Sequence, residues 1–236
     1  MNSLKTSLTL CVFGLLAGLL AGCASTKTSD RQQLVTGKIP LPTTIWVYNF
    51  ANTAQELPMS SAFADAETAP QSGDNLKVNR ELGNIIATNL VADINKTGMR
   101  AELATKETHV AVNDLMIQGY LLTVDEGSAT KRVLVGFGDG ASKLAVAVEG
   151  YQMTESGMRK LGYGTVDAGG AKSPGAAVGA LTFLATKNPA GLIISGGMHI
   201  YGETSGSATV VGRARSTAKE IADVLKKRFQ EQGWIE

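Results

Sequence analysis

Between residues 76 and 96 an apolar side chain recurs at every fourth position: Val78, Leu82, Ile86, Leu90 and Ile94, with Ile85 widening the stripe. On a helix that spacing lines one face. Asp74 or Asn75 supplies a start cap and Gly98 lies just past the end. A second amphipathic pattern closes the chain over 213–232, with Ala218, Ile221, Val224, Leu225 and Phe229 on the apolar side. Two helices each apolar along one stripe need a sheet face to bury against. Runs with strand character supply it at 44–50, 100–103, 114–124, 132–137, 143–153 and 160–166. Turn residues separate the later ones: Asp125-Glu126-Gly127, Gly138-Asp139-Gly140-Ala141-Ser142 and Glu155-Ser156-Gly157. The expected fold is α+β: a mainly antiparallel, twisted sheet with the two amphipathic helices on one face. Residues 51–75 are rich in Ser, Ala, Pro, Asp and Gly without a period, and read as a long loop.

The first residues carry a different instruction. Lys5 is the only charge before Cys23, and residues 8–20 are almost wholly Leu, Val, Phe, Ala and Gly. A short basic region followed by about a dozen apolar residues is a secretory signal. It is shorter than the roughly 20 residues that a membrane-spanning helix needs. The run ends in Leu20-Ala21-Gly22-Cys23, which closely resembles the lipobox of bacterial lipoproteins. The resemblance implies cleavage before Cys23, a diacylglycerol thioether on its sulfur, and an acyl chain on the new amino terminus. One acyl chain binds a membrane only marginally, whereas several make a lasting anchor. Ala24 stands where such lipoproteins carry an Asp if they stay in the inner membrane, so the resemblance implies the outer membrane, facing the periplasm. Residues 1–22 are thus expected to be signal. Residues 23–43, polar and ending in Pro40-Leu41-Pro42, are expected to be a flexible tether spanning about 25 Å. Residues 44–236 make the single α+β domain.

Composition then removes whole classes of chemistry. Losing Lys5 with the signal leaves 21 basic residues (22 − 1) against 21 acidic ones. A neutral chain offers no electrostatic case for nucleic acid. Of the two cysteines, Cys11 leaves with the signal and Cys23 takes the lipid. No thiol remains for a disulfide, a metal or a nucleophile. The scarcity of aromatics beside abundant Gly favours close backbone packing over a large aromatic core.

Two stretches carry a family likeness. They are Trp46-Val47-Tyr48-Asn49-Phe50, and the block from Asp125-Glu126-Gly127 through Arg132-Val133-Leu134-Val135-Gly136-Phe137-Gly138-Asp139-Gly140-Ala141-Ser142. With the closing helix, they make the chain resemble, over most of its mature length, a family of bacterial lipoproteins labelled a domain of unknown function. That likeness implies a fold and no mechanism. More distantly, the order strand, helix, strand, meander is similar to the periplasmic domains of the curli secretion lipoprotein, in architecture only.

No reaction is written in the motifs. Gly136-Phe137-Gly138-Asp139-Gly140 has the glycines of a phosphate loop, but residues 143–153 beyond it alternate like a strand instead of opening a helix. A hairpin is the better reading. Gly164, Gly169, Lys172 and Ser173 imitate a Walker loop, but Ala171 breaks the required ending. His109 and His199 have no neighbour at metal-ligand spacing. Asp125 and Glu126 are adjacent, which points them apart and argues against a paired acid and base. With Lys131 and Arg132 they suit a charged hairpin end or a partner contact. The remaining feature is 168–201, rich in Gly and Ala and almost uncharged. It divides into apolar pieces at 175–186 and 190–201. Gly175 and Gly179 stand four apart, a spacing that lets helices approach closely. Each piece is too short to span a membrane as a helix and about right for a tilted strand. The plainer reading is a pair of elements packed on the sheet, or an apolar loop.

The sequence therefore predicts an outer-membrane-anchored, non-enzymatic module that binds another envelope protein or itself. It has no cofactor beyond the lipid on Cys23, no metal, no nucleotide and no nucleic acid. The alternative is an oligomeric pore or secretion component built on 175–201; a third, weaker idea is a cell-wall or lipid hydrolase. Cells fed labelled palmitate should label the wild-type chain and leave Cys23→Ser unlabelled and uncleaved. An unlabelled wild type would remove the anchor from the argument.

Overall fold

The computed structural model describes residues 26–53, 56, 61, 73–125, 143–169 and 209–236. In chain order the elements are β1 (Thr26–Gln33), β2 (Ile45–Tyr48), α1 (Gly73–Asn95), β3 (Ala101–Ala104), β4 (Leu115–Asp125), β5 (Lys143–Thr154), β6 (Gly157–Gly169) and α2 (Val210–Gln232). The described strands form one sheet in the order β1-β6-β5-β4-β2-β3. The β4-β5-β6 meander is antiparallel and β1 joins β6 antiparallel, whereas β2 runs parallel to both β3 and β4. Parallel neighbours need a crossover, and α1 is the crossover between β2 and β3. The fold is α+β as expected. The helix expected over 76–96 runs from Gly73 to Asn95, and that expected over 213–232 begins at Val210. The strand expected over 132–137 lies outside the described residues.

Both helices lie on one face of the sheet, side by side. Leu82, Ile86, Leu90 and Ile94 are fully buried, and Val78 and Ile85 pack at the edge of the same core. Ala214, Ala218, Ile221 and Phe229 do the same for α2. Thr209 caps α2, its side chain accepting the Gly212 amide at 3.0 Å. Beyond the two helix ends, Gly98 and Gly233 take left-handed conformations that a side chain would resist.

The segment expected as a flexible tether is a correction. Thr26–Gln33 is the edge strand, in register with β6 from Thr26 opposite Ala168 to Gln33 opposite Gly162. Its side chains are bonded too: Thr28 Oγ1 donates to Glu220 Oε1 at 2.9 Å, and Ser29 and Thr165 hydroxyls pair at 2.8 Å. Residues 34–39 then strap onto the end of α2. Arg228 donates to the Val35 carbonyl, Lys38 to the Glu231 carbonyl, and Gln232 both donates to Gly37 and accepts from Ile39. A strand with one solvated edge needs no apolar alternation, so its polar sequence hid it. Of the Gly/Ala-rich stretch 168–201, Ala168 and Gly169 end β6; the rest lies outside the described residues.

One end of the sheet gathers most of the long connections. It holds the start of β1, the start of β5, and the ends of β4 and β6. There Thr26, Ala168, Leu144 and Val124 form one row across four strands. Asn52 donates to the Leu76 carbonyl, so α1 begins at this end. Asn95 bonds both the amide and carbonyl of Ala101, so α1 ends at the opposite one. The Thr28–Glu220 and Val35–Arg228 contacts orient α2 the same way. The described flanks of 126–142 and 170–208 therefore all sit at this upper end, as does Thr26. The lower end carries the 154–157 turn, the 34–44 strap and the C-terminus.

A single residue, Phe50, fixes α1 on the sheet through its backbone and its ring. From Val47 to Ala51 is four residues on one strand, but the matching step from Ile117 to Tyr120 is three on β4. The extra residue turns Phe50 to the helix side. A Cβ on Gly83 of α1 would stand 2.1 Å from the Phe50 carbonyl oxygen, and one on Gly119 of β4 2.2 Å from its ring. Gly83→Ala, which in an open helix stabilises by about 1 kcal/mol, should here destabilise by about 1–3 kcal/mol in urea unfolding, as should Gly119→Ala. Gly37→Ala, with nothing near its Cβ, should change stability by less than about 0.5 kcal/mol. Equal effects at all three positions would contradict the wedge.

Candidate functional site

Little of the site expected from sequence can be placed. Leu20, Ala21, Gly22, Cys23, Glu126, Lys131, Arg132, Gly175 and Gly179 lie outside the described residues. Asp125 closes β4 at the upper end, its backbone opposite Lys143. The Walker-like stretch begins inside a strand: Gly164 pairs with Val148 in mid-sheet and Gly169 ends β6. Its glycines are not those of a loop opening a helix. His109 is exposed, on the wall of a shallow hollow with Tyr48, Met116, Glu155 and Met158. Burial raises the Tyr48 pKa there. Among the described residues there is no cluster of three His, Cys, Asp or Glu that could hold a metal, and no helix long and apolar enough to cross a membrane.

The structure instead assembles two features that sequence reading missed. The first is on the sheet face opposite the helices, where Met116, Tyr120, Ala145, Ala147, Glu149 and Tyr151 are all buried. Glu149 sits in mid-strand on β5. Ser61 Oγ and Tyr151 OH donate to its Oε2 at 2.8 and 2.9 Å, and the Lys160 ammonium pairs with Oε1. Lys160 also stands 5.7 Å from the centre of the Tyr151 ring and 5.3 Å from that of Tyr163, within cation–π range. The Glu149 side chain is 3 % exposed, and both of its carboxylate oxygens have partners, as burying such a group requires. Asp114, the other buried acid among the described residues, is likewise engaged: it accepts the Thr44 amide at 3.0 Å and the Trp46 indole at 2.9 Å. It ties the start of β4 to β2. Both carboxylates are held by structural partners.

The second feature is an apolar cavity of about 170 Å³ between α2 and the sheet. Ile117, Val148, Leu161, Val166, Ile221 and Leu225 are among its walls, and Gly150 stands where a side chain would otherwise fill it, whereas a Cβ on Gly162 would stand 2.5 Å from the Gln32 carbonyl oxygen of β1. Arg31 and Arg228 lie on its lining. A closed, dry void of that size would cost on the order of 4 kcal/mol, but this one opens to solvent. Near the upper end of α2, Arg213 is buried, and burial lowers its pKa; among the described residues no carboxylate pairs with it.

The family model for a domain of unknown function, DUF4410, matches residues 45–187. The chain belongs to that family. The match covers β2 through β6 and ends within the Gly/Ala-rich stretch, leaving β1 and α2 outside it. No curated protein matches the DUF4410 chain. Among solved structures it is similar to the PelC dodecamer from Paraburkholderia phytofirmans, with 9% identity, a TM-score of 0.38, and coverage of 84% of this chain and 95% of that one. A single-substitution variant of the same dodecamer matches at 12% identity and TM-score 0.33, covering 70% and 95%. Overlaps that loose carry no argument about assembly.

Removing one partner of a buried ion pair strands the other. Lys160→Met should lower unfolding stability by about 2–3 kcal/mol, and adding Glu149→Gln should return part of it. A loss below about 0.5 kcal/mol in chemical denaturation would mean that the pair holds nothing.

Proposed function

We propose that this DUF4410 protein is a lipid-anchored module of the bacterial envelope, attached through Cys23 to the outer membrane, facing the periplasm, and acting by binding a protein rather than by catalysis. The observation that carries the reading is the lipobox Leu20-Ala21-Gly22-Cys23, with the folded domain starting three residues later at Thr26. Three residues reach about 10 Å at most. An anchor there holds the upper end of the sheet against the lipid headgroups, not about 25 Å away. β6, with 13 residues, carries the lower end about 40 Å from that surface. The partner-binding surface would then be the lower end and the flanks of the sheet. Engagement of both buried carboxylates by structural partners supports binding over hydrolysis. The balanced charge supports a protein partner over nucleic acid, and nothing in the chemistry described calls for a metal, nucleotide or other cofactor.

One observation favours a second reading, an oligomeric pore or secretion component using 175–201. Gly169 and Thr209, the described flanks of that apolar stretch, lie at the same end as Thr26 and so on the side that the anchor would press to the membrane. A single experiment separates the readings. The lipidated protein is extracted in mild detergent and its mass measured, for wild type and for a chain lacking 175–201, alongside crosslinking in intact cells. Monomers in both, with one crosslinked envelope protein, support the module. A large defined oligomer that collapses in the deletion supports the pore. Monomers with no crosslinked partner would sink both.

A further inference from the structure

We infer that the cavity under α2 is a binding site for a single-chain anionic amphiphile, a fatty acid of medium length. Four observations on described residues carry it. The cavity wall is apolar on both sides, Ile117, Val148 and Val166 from the sheet against Ile221 and Leu225 from α2. Its volume of about 170 Å³ is of the order that in an engineered protein stays dry and admits a benzene ring, so about six to eight carbons of a chain enter. Gly150 points at the space: an ideal Cβ there meets no atom within 4 Å. Well-packed interiors leave few voids larger than water, and here the smallest residue occupies a mid-strand position where a larger one would fill the space.

The fourth observation is charge. Two arginines line the cavity and one acid does, and that acid is Glu149, whose carboxylate is held on the far face of the sheet by Ser61, Tyr151 and Lys160. Arg228 is engaged by Glu231 and the Val35 carbonyl. Arg31 is exposed, set on the irregular step of β1 between Ser29 and Gln32, with its Cα 3.5 Å from where a Gly164 Cβ would lie. None of the described ion pairs or hydrogen bonds uses its guanidinium. A carboxylate emerging from the cavity would meet that guanidinium in bidentate geometry, while the chain stays in the open space at Gly150. The site is independent of the anchor and of any protein partner.

The test uses the full chain carrying Cys23→Ser, so that no covalent lipid competes, titrated with decanoate and with decanol by calorimetry below their aggregation limits. One equivalent of decanoate should bind. Gly150→Phe, which fills the space from the sheet side, should weaken it at least tenfold without lowering Tm. Should that variant misfold by circular dichroism, Leu225→Trp fills the same space from the helix side. Arg31→Glu should weaken decanoate about tenfold and leave decanol unchanged. Absence of saturable binding, or binding unchanged when the cavity is filled, would overturn the site. Equal loss of decanoate and decanol in Arg31→Glu would overturn the carboxylate's place.

Discussion

The Phe50 side chain is the point on which the two layers of this protein meet. The residue's own backbone lies against α1 at Gly83 and its ring against β4 at Gly119, so close that neither position admits a methyl group. The Phe50 amide points to the Gly83 carbonyl at 3.4 Å, while Ala51 exchanges bonds with Gly119 and Leu121 of β4 at 2.8 Å each. Helix and strand are thus clasped by one aromatic ring and its backbone. Leu82 and Ile86 follow onto the sheet from that contact, and α2 packs alongside. The extra residue between Val47 and Ala51 is what makes the clasp possible, because strict alternation would send Phe50 to the other face.

The same architecture divides the molecule by end and by face. Its upper end holds Thr26 and the described flanks of the apolar stretch, Gly169 and Thr209. Its lower end holds short turns and the strap that binds 34–39 to α2. One face is closed by helices over an apolar layer that contains the cavity. The opposite face buries a carboxylate and two tyrosines and half-buries an ammonium. Such a buried polar network holds a unique arrangement only when fully satisfied, and the Glu149 carboxylate is, through Ser61, Tyr151 and Lys160. Ser61 lies far from the meander in the chain, so the network also ties that residue to the sheet.

Helix periodicity was legible because the stripe of α1 is regular and its spacing means one thing. The meander was legible because turn residues interrupt alternating strands at the right places, as at Gly157. Polar segments and contacts shared between distant residues stayed hidden. Thr26–Gln33 has no apolar alternation, and only the ladder to β6 makes it a strand. Glu149 reads as one acid in a strand; Tyr151 and Lys160 converge on it through the register of β5 and β6, and Ser61 reaches it from outside the meander. Gly150 reads as a weak strand position, and only α2 arriving above it reveals a space.

Local patterns in the chain were enough to specify two one-faced helices that must cover a sheet, and they carry the tetrapeptide Leu20-Ala21-Gly22-Cys23 on which the proposed anchor rests. In each of these, spacing along the chain is already spacing in three dimensions. Tertiary contacts were needed for the parallel placement of β2, the recruitment of residues 26–39 into the domain, the burial of the Glu149–Lys160 pair and the cavity beneath α2. Each depends on residues far apart in the chain, and no local propensity encodes which distant backbone will lie opposite.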